Sequence, residues 1–137
     1  MKPAPIALVW LGIILGVSFI ATPIKFTAPS LDLPTALEVG RVTFRLLARI
    51  EWGLGILLCV SALAHRQRLP WSAVVLLLGV VVESLVLLPA LGARTDIIRA
   101  GGTPAPSHLH DLFILAEVLE ILALGHIALV TSRTSPA

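Results

Sequence analysis

Four long apolar segments constrain this chain more than any other feature, at the approximate ranges 5–23, 34–64, 71–88 and 108–131. Of its 137 residues, 57% are hydrophobic and only 13% are charged, whereas an ordinary soluble domain has about 25% charged residues. A helix crosses the hydrocarbon core of a bilayer with about 20 apolar residues. The pattern therefore predicts an all-α integral membrane protein, folded over residues 1–137 as a single up-down-up-down four-helix bundle.

The second segment is longer than a bilayer requires, and its first turns carry charged residues such as Glu38 and Arg41. We expect one helix whose amino-terminal turns project into the interface, with Asp32 as its cap and Pro34 in its first turn. The first segment follows a basic residue in the manner of a signal peptide. Its apolar run over 6–21 exceeds the roughly 7–15 residues of a signal sequence, so it is predicted to stay in the membrane.

The connections between segments predict which helix ends share a face of the bundle. The connection at 65–70 is short, whereas those at 24–33 and 89–107 are longer and lie on the opposite face. We expect 89–107 to be a loop, either a plain connector or a mobile cap over a substrate. Basic residues mark both faces almost equally, and we favour both termini in the cytoplasm. The basic residues occur singly and form no continuous basic face, so no nucleic-acid partner is expected.

Four glutamates interrupt the otherwise apolar segments: Glu51, Glu83, Glu117 and Glu120. An ionisable side chain at membrane depth is costly and marks a functional site by default. At 1.5 Å per residue, all four lie about 16–21 Å from the short-connection face, and Ser18 reaches the same depth. Small residues share the helix faces of Glu51 and Glu83. Because small residues mark helix–helix contacts in membranes, we expect these carboxyl groups to point into the bundle.

Carboxyl groups that meet in a lipid-shielded interior repel one another and lose hydration, so they must take up protons or bind a cation. Helical bundles build metal sites from glutamates on several helices, together with histidine. His110 lies two turns from Glu117 on nearly the same side of the fourth segment. The four glutamates and His110 are therefore the candidate ligands of a divalent metal ion, the one cofactor that these residues suggest. The Glu-x-x-His pairs of ferritin-like di-iron proteins are missing, which argues against that class of site.

Five further residues are candidate binding residues around the glutamates: Ser18, Arg45, Arg49, Trp52 and His110. On an ideal helix, Arg45 and Arg49 point more than about 100° away from Glu51. We expect these two arginines and His110 to set the charge at the mouth of the site on the long-connection face. Trp52 adjoins Glu51 and either shapes the site or packs in the core.

Three functions remain open for this membrane protein. In the leading hypothesis, the glutamates bind and move protons or a cation, coupled to a small solute, and the narrow bundle forms a homo-oligomer. In the second, the protein is an enzyme whose glutamates serve as general acid and base on an apolar, lipid-like substrate, with or without a metal ion. In the third, the chain is a structural or assembly subunit of a larger membrane complex. The expected partners are the lipid bilayer and either a cation or an apolar small molecule.

Five stretches of the sequence are similar to those of a known protein family. They are LG at 11–12, ATPIKFTAPSL at 21–31, VGRVTFRLLARIE at 39–51, LLPALGARTDIIRA at 87–100 and LHDLF at 109–113. They resemble an uncharacterised bacterial family of small four-helix membrane proteins, which is distantly similar to the eukaryotic membrane protein associated with cisplatin resistance. In that family a Pro-Arg stretch follows the third helix and an L-H pair opens the fourth, as Pro89, Arg94, Leu109 and His110 stand here. The resemblance implies a four-helix fold in the bacterial inner membrane, and nothing about the four glutamates.

Overall fold

The computed structural model describes residues 2–133 and is dominated by helices. Within this range, four helices are long and apolar enough to span a membrane: α1 (Pro3–Lys25), α2 (Leu33–Ala64), α3 (Ser72–Arg99) and α4 (Leu109–Arg133). The same residues contain no β-strand. The prediction of an all-α fold with four apolar helices of membrane-spanning length is confirmed. The alternation of those helices across the bilayer stays a prediction.

Helix α2 begins where its sequence predicts. Asp32 has an extended backbone and accepts a hydrogen bond from the backbone N–H of Thr35 at 2.9 Å. Pro34 lies in the first turn, where the missing N–H has no partner to lose. With 32 residues the helix is about 48 Å long, well beyond the roughly 30 Å of a hydrocarbon core. One end must therefore project beyond the core, and the charged residues Glu38 and Arg41 identify it as the amino-terminal end.

Helix α3 does not end near residue 88, and the predicted loop over 89–107 is wrong, because the helix continues to Arg99. A π-helical turn, Glu83–Leu87, precedes Pro89, and the N–H of Leu88 bonds to the carbonyl of Glu83 five residues back. Proline in a regular α-helix leaves one carbonyl without its donor and collides with it. The wider π turn accommodates this defect, so the chain stays helical through a proline that looked like a terminator.

Helix α1 also has a π-helical segment before a proline, at its carboxyl-terminal end. Its π-helical part, Leu15–Ala21, ends with the N–H of Thr22 bonding to the carbonyl of Val17, and Pro23 follows directly. The helix consequently runs past Pro23 to Lys25 rather than stopping at the proline. Both π-helical segments thus lie just before a proline.

Helix α4 is central to the core, because α1 and α3 both pack along it. The buried apolar cluster draws on all four helices and consists of Ile6, Ala7, Trp10, Ile14, Leu58, Ala73, Leu76, Val80, Ala123, Leu124, Ile127 and Ala128. Most of these residues lie in the half of the bundle nearer the short connection between α2 and α3. Trp10 is fully buried among them, so it packs in the core rather than anchoring at the membrane surface.

In the other half of the bundle, ion pairs connect α2 and α3. Arg41 of α2 pairs with Asp96 of α3, with 2.5 Å between Nη1 and Oδ1. Arg99 pairs with Glu38, with 3.2 Å between Nη2 and Oε2. These ion pairs join the first turns of α2 to the last turns of α3. The candidate site lies between them and the apolar cluster.

The alternation of the helices predicts that residues 68 and 103, which flank α3, lie on opposite sides of the membrane. In a Cys59→Ser background, we expect a membrane-impermeant maleimide to label only one of the variants Arg68→Cys and Thr103→Cys from outside intact cells. The other variant should react only after the membrane is permeabilised. Labelling of both variants from the same side would contradict a membrane-spanning α3.

Candidate carboxylate site

Three carboxyl groups from three helices converge in the interior of the bundle. One carboxylate oxygen from each of Glu51 on α2, Glu83 on α3 and Glu120 on α4 lies within 4.8 Å of the other two. Their exposed fractions are 3%, 2% and 0%, so neither lipid nor water reaches them freely. We call these three residues the carboxylate cluster.

Gly79 of α3 makes the space that Glu120 occupies. A Cβ atom at this position would lie 2.6 Å from Oε1 of Glu120 and 3.0 Å from its Cγ. Real Cβ atoms do not approach other atoms so closely, so any larger residue would displace the glutamate. The small-residue face of α3 therefore serves the cluster directly as well as helix packing.

Hydrogen-bond donors are scarce around the cluster. Among residues 2–133, only another carboxyl group of the cluster is available to donate to either oxygen of Glu120 or to Oε1 of Glu83. Glu51 receives one bond, from Nε1 of Trp10 to its Oε1 at 3.3 Å. A buried carboxylate oxygen without a donor is costly. The unsatisfied oxygens thus require either protons on neighbouring carboxyl groups or a bound ion.

Glu117 lies beside the cluster and has a partner of its own. The hydroxyl of Ser18 on α1 donates a hydrogen bond to Oε1 of Glu117. Glu117 is 3% exposed and remains close enough to repel Glu83 and Glu120 electrostatically. A fourth buried carboxyl group therefore adjoins the cluster without sharing its ligand geometry.

Among residues 2–133, no basic side chain forms an ion pair with these four buried glutamates. The ion pairs of the described residues join Arg41, Arg99 and His108 to Glu38, Asp96 and Asp111. Buried like charges without counter-charge are strongly unfavourable at the low dielectric of a protein interior. Charge balance in the cluster therefore calls for protons, a cation, or both.

The structure separates the remaining predicted site residues from the cluster. Arg45 and Arg49 are exposed on α2. Trp52 is 41% exposed and donates from Nε1 to Oγ of Ser84 at 3.1 Å, not to its neighbour Glu51. None of the three belongs to the cluster, although Trp52 lines the same groove as Glu51.

Two of the predicted metal ligands are not brought into the cluster. His110 is exposed in the first turn of α4, and its seven-residue separation from Glu117 corresponds to about 10 Å along the helix. Glu117 is engaged with Ser18. The ligand set predicted from the sequence therefore reduces to Glu51, Glu83 and Glu120.

The π-helical segments are the feature of the site that sequence reasoning missed. Ser18 lies within the π-helical part of α1, and Glu83 begins that of α3. A π turn shifts the side chains that follow it relative to an α-helix, and such turns are common at functional sites. The available signal was the proline five or six residues downstream of each, Pro23 and Pro89.

No family model, curated protein or solved structure matches this chain. The resemblance to a bacterial family of four-helix membrane proteins consequently stays a prediction.

Because Glu120 fills the space next to Gly79, we expect different effects from two matched glycine substitutions. Gly79→Ala should lower the free energy of unfolding by about 1–3 kcal/mol, because the new methyl group displaces Glu120 in a packed interior. Gly125→Ala, on α4 with no atom within 4 Å of the added Cβ, should be neutral or stabilise by about 0.4–1 kcal/mol. Reversible unfolding in bicelles measures both variants. Equal effects would contradict the packing of Glu120 against Gly79.

Proposed function

We propose that this membrane protein binds a cation, either a divalent metal ion or protons, between Glu51, Glu83 and Glu120 inside its helical bundle. The observation that supports this proposal is the convergence of three buried carboxyl groups with which no basic side chain of the described residues pairs. A structural role alone would be served more cheaply by apolar residues, because buried charged groups seldom stabilise a fold.

The spacing of the ligand atoms suits a hard divalent cation. Carboxylate oxygens bind calcium at about 2.3–2.6 Å, so two ligands on opposite sides of such an ion lie roughly 4.6–5.2 Å apart. The oxygens of the cluster lie within 4.8 Å of one another. Neither histidine nor cysteine belongs to the ligand set, which disfavours zinc and favours magnesium, calcium or manganese.

Charge balance requires bound protons both when a divalent ion occupies the site and when it does not. A divalent ion neutralises two of the three negative charges of the cluster and leaves the third, with Glu117 beside it. At least one proton is then needed to keep the interior close to neutral. Without a metal ion, all of the compensation falls to protons. We propose that Glu117 and Ser18 form the next step of a proton or cation path toward the long-connection face, and that conduction takes place in a homo-oligomer.

Glu83→Gln provides the central test of cation binding. In purified protein in nanodiscs of neutral lipid, saturating Mn²⁺ should raise the free energy of unfolding, by about 2.7 kcal/mol at a hundredfold excess over Kd. This stabilisation should disappear in Glu83→Gln, which removes a ligand charge without changing side-chain size. It should persist in Glu38→Gln, which changes a surface carboxylate.

Proton binding by the cluster can be detected separately, by infrared spectroscopy of the same samples. The infrared carbonyl stretch of protonated carboxylic acids should be visible at neutral pH, weaker in Glu83→Gln and weaker again when Mn²⁺ is added. The proposal fails if no divalent ion stabilises the protein and the carboxylic acid band is the same in Glu83→Gln.

A second function, an enzyme acting on an apolar lipid-like substrate, is favoured by a groove between α2 and α3. The groove has a volume of about 330 Å³, and Glu51 lines it together with Trp52, Cys59 and several aliphatic residues. Its outer residues, such as Ile56 at 64% exposed, face the surrounding membrane. An apolar molecule could thus approach Glu51 from the bilayer, where the carboxyl group would act as a general acid or base.

A hydrophobic carbodiimide, which adds to protonated carboxyl groups, tests access through this groove. We expect mass spectrometry to locate the modification on Glu51 and not on Glu83 or Glu120. Ile56→Trp should block the reaction by filling the groove, and Ile50→Trp, on the same helix outside the groove, should not. Modification that is absent, or that is unaffected by Ile56→Trp, would count against the enzymatic function.

A further inference from the structure

A second cavity lies near the end of the bundle formed by the first turns of α2 and the last turns of α3. Its volume is about 310 Å³. All four helices contribute to its walls, from Lys25 at the end of α1 to His110 at the start of α4. This volume falls at the lower end of those typical of small-molecule sites. The cavity is therefore large enough for a head group and the beginning of a chain, and too small for a whole lipid.

The cavity is placed at the surface of the bilayer. Its lining on α2 runs from Leu33 to Arg45, the part of the helix that extends beyond the hydrocarbon core. Arg45 precedes Glu51 by six residues, which places it about 9 Å from the carboxylate cluster along the helix. The walls of the cavity therefore lie at the level where lipid phosphates meet the first methylene groups.

The charges of the lining are predominantly positive. Lys25, Arg41, Arg45 and Arg94 all contribute to the walls. Arg41 is neutralised by Asp96, and Arg94 donates from Nη1 to the backbone carbonyl of Ala105 at 2.6 Å. Among the described residues, no carboxylate pairs with Lys25, Arg45 or Arg94. Within the described part of the chain, three positive charges around one cavity thus have no carboxylate partner.

Arg41 gives a second reason, beside the excess of positive charge, to expect a bound hydrogen-bond acceptor in the cavity. Its side chain is 16% exposed, and its Nε is buried without a hydrogen-bond partner. Buried donors of charged groups are normally satisfied. An anion in the cavity would supply acceptors near the guanidinium groups, and phosphate oxygens match guanidinium geometry particularly well.

The rest of the wall is apolar, which distinguishes a lipid from a free anion. The apolar lining residues are Phe26, Leu33, Leu37, Phe44, Leu88, Leu91 and Ile98. A free inorganic anion would leave these side chains without a partner. An acyl chain attached to the anion would cover them and continue into the surrounding membrane.

We propose that this cavity binds the phosphate head group of an anionic membrane lipid, with Lys25, Arg41, Arg45 and Arg94 around the phosphate and the acyl chain along the apolar wall. The proposal uses none of the glutamates of the carboxylate cluster. It therefore stands or fails independently of cation binding there.

Lipid binding is measured on the purified full-length protein by native mass spectrometry, with phosphatidylglycerol and phosphatidylcholine as probes. We expect phosphatidylglycerol to bind at least tenfold more tightly than phosphatidylcholine. Each basic residue near anionic lipid contributes about a fivefold change in affinity, so Lys25→Gln with Arg45→Gln should weaken phosphatidylglycerol binding about 30-fold. Arg68→Gln, in the short connection at the other end of the bundle, should leave it unchanged.

A second variant tests the cavity without removing a basic side chain. A Cβ atom on Gly92 would lie 3.8 Å from Nη2 of Arg45 and 3.7 Å from Cδ of Arg41, ordinary contact distances. Gly92→Asp therefore places a carboxylate beside both arginines and should abolish the preference for phosphatidylglycerol. This result remains interpretable if the double variant fails to fold.

Two results would overturn the proposal. One is equal binding of phosphatidylglycerol and phosphatidylcholine, or a preference unchanged in both cavity variants. The other is competition by inorganic phosphate at concentrations comparable to the lipid, which would identify a free anion rather than a lipid head group as the ligand. The Mn²⁺ response should be retained in the cavity variants, so failure here is distinguishable from failure of the cation site.

Discussion

The burial of three carboxyl groups against one another is the constraint on which the rest of this structure depends. Glu51, Glu83 and Glu120 come from three helices and lie within 4.8 Å of each other. Apolar packing cannot account for that arrangement, since each group would be cheaper to accommodate at a helix end or in water. The helices must instead approach closely enough to enclose the groups, and Gly79 allows this by leaving room for Glu120. In the proposed function, a cation or shared protons offset the repulsion among the three carboxyl groups.

The two π-helical segments show how the backbone serves this arrangement. Ser18 and Glu83 lie in such segments on α1 and α3, and each segment is followed by a proline. The proline prevents the regular α-helical hydrogen bond, and the π turn absorbs the missing donor. In this way the helix continues past its proline, and the π-helical segment that allows this contains a residue of the candidate site.

Hydropathy and helical geometry were sufficient to predict the spans and the level of the glutamates. Apolar length identifies the four helices, and a rise of 1.5 Å per residue places the carboxyl groups at one depth. The same reasoning placed the end of the third helix wrongly, before Pro89, because local propensity does not show that a π turn can let a helix continue through a proline. It also could not separate Glu117 from the cluster, since its hydrogen bond to Ser18 depends on how α1 packs against α4. Contacts between helices are set by tertiary packing, which a single sequence does not specify.

The two candidate sites are complementary in charge and close along the helices. The cluster is acidic and buried, whereas the cavity at the membrane surface is lined by basic residues, and about 9 Å of α2 separates Arg45 from Glu51. Glu51 is buried and Arg45 is exposed, so the attraction between opposite charges at such a separation is weakened by solvent but not abolished. A cation in the cluster would favour an anion in the cavity, and by thermodynamic linkage the anion would favour the cation to the same extent. Such reciprocity would let a small bundle couple the state of its interior to the lipid at its surface without any large movement of its helices.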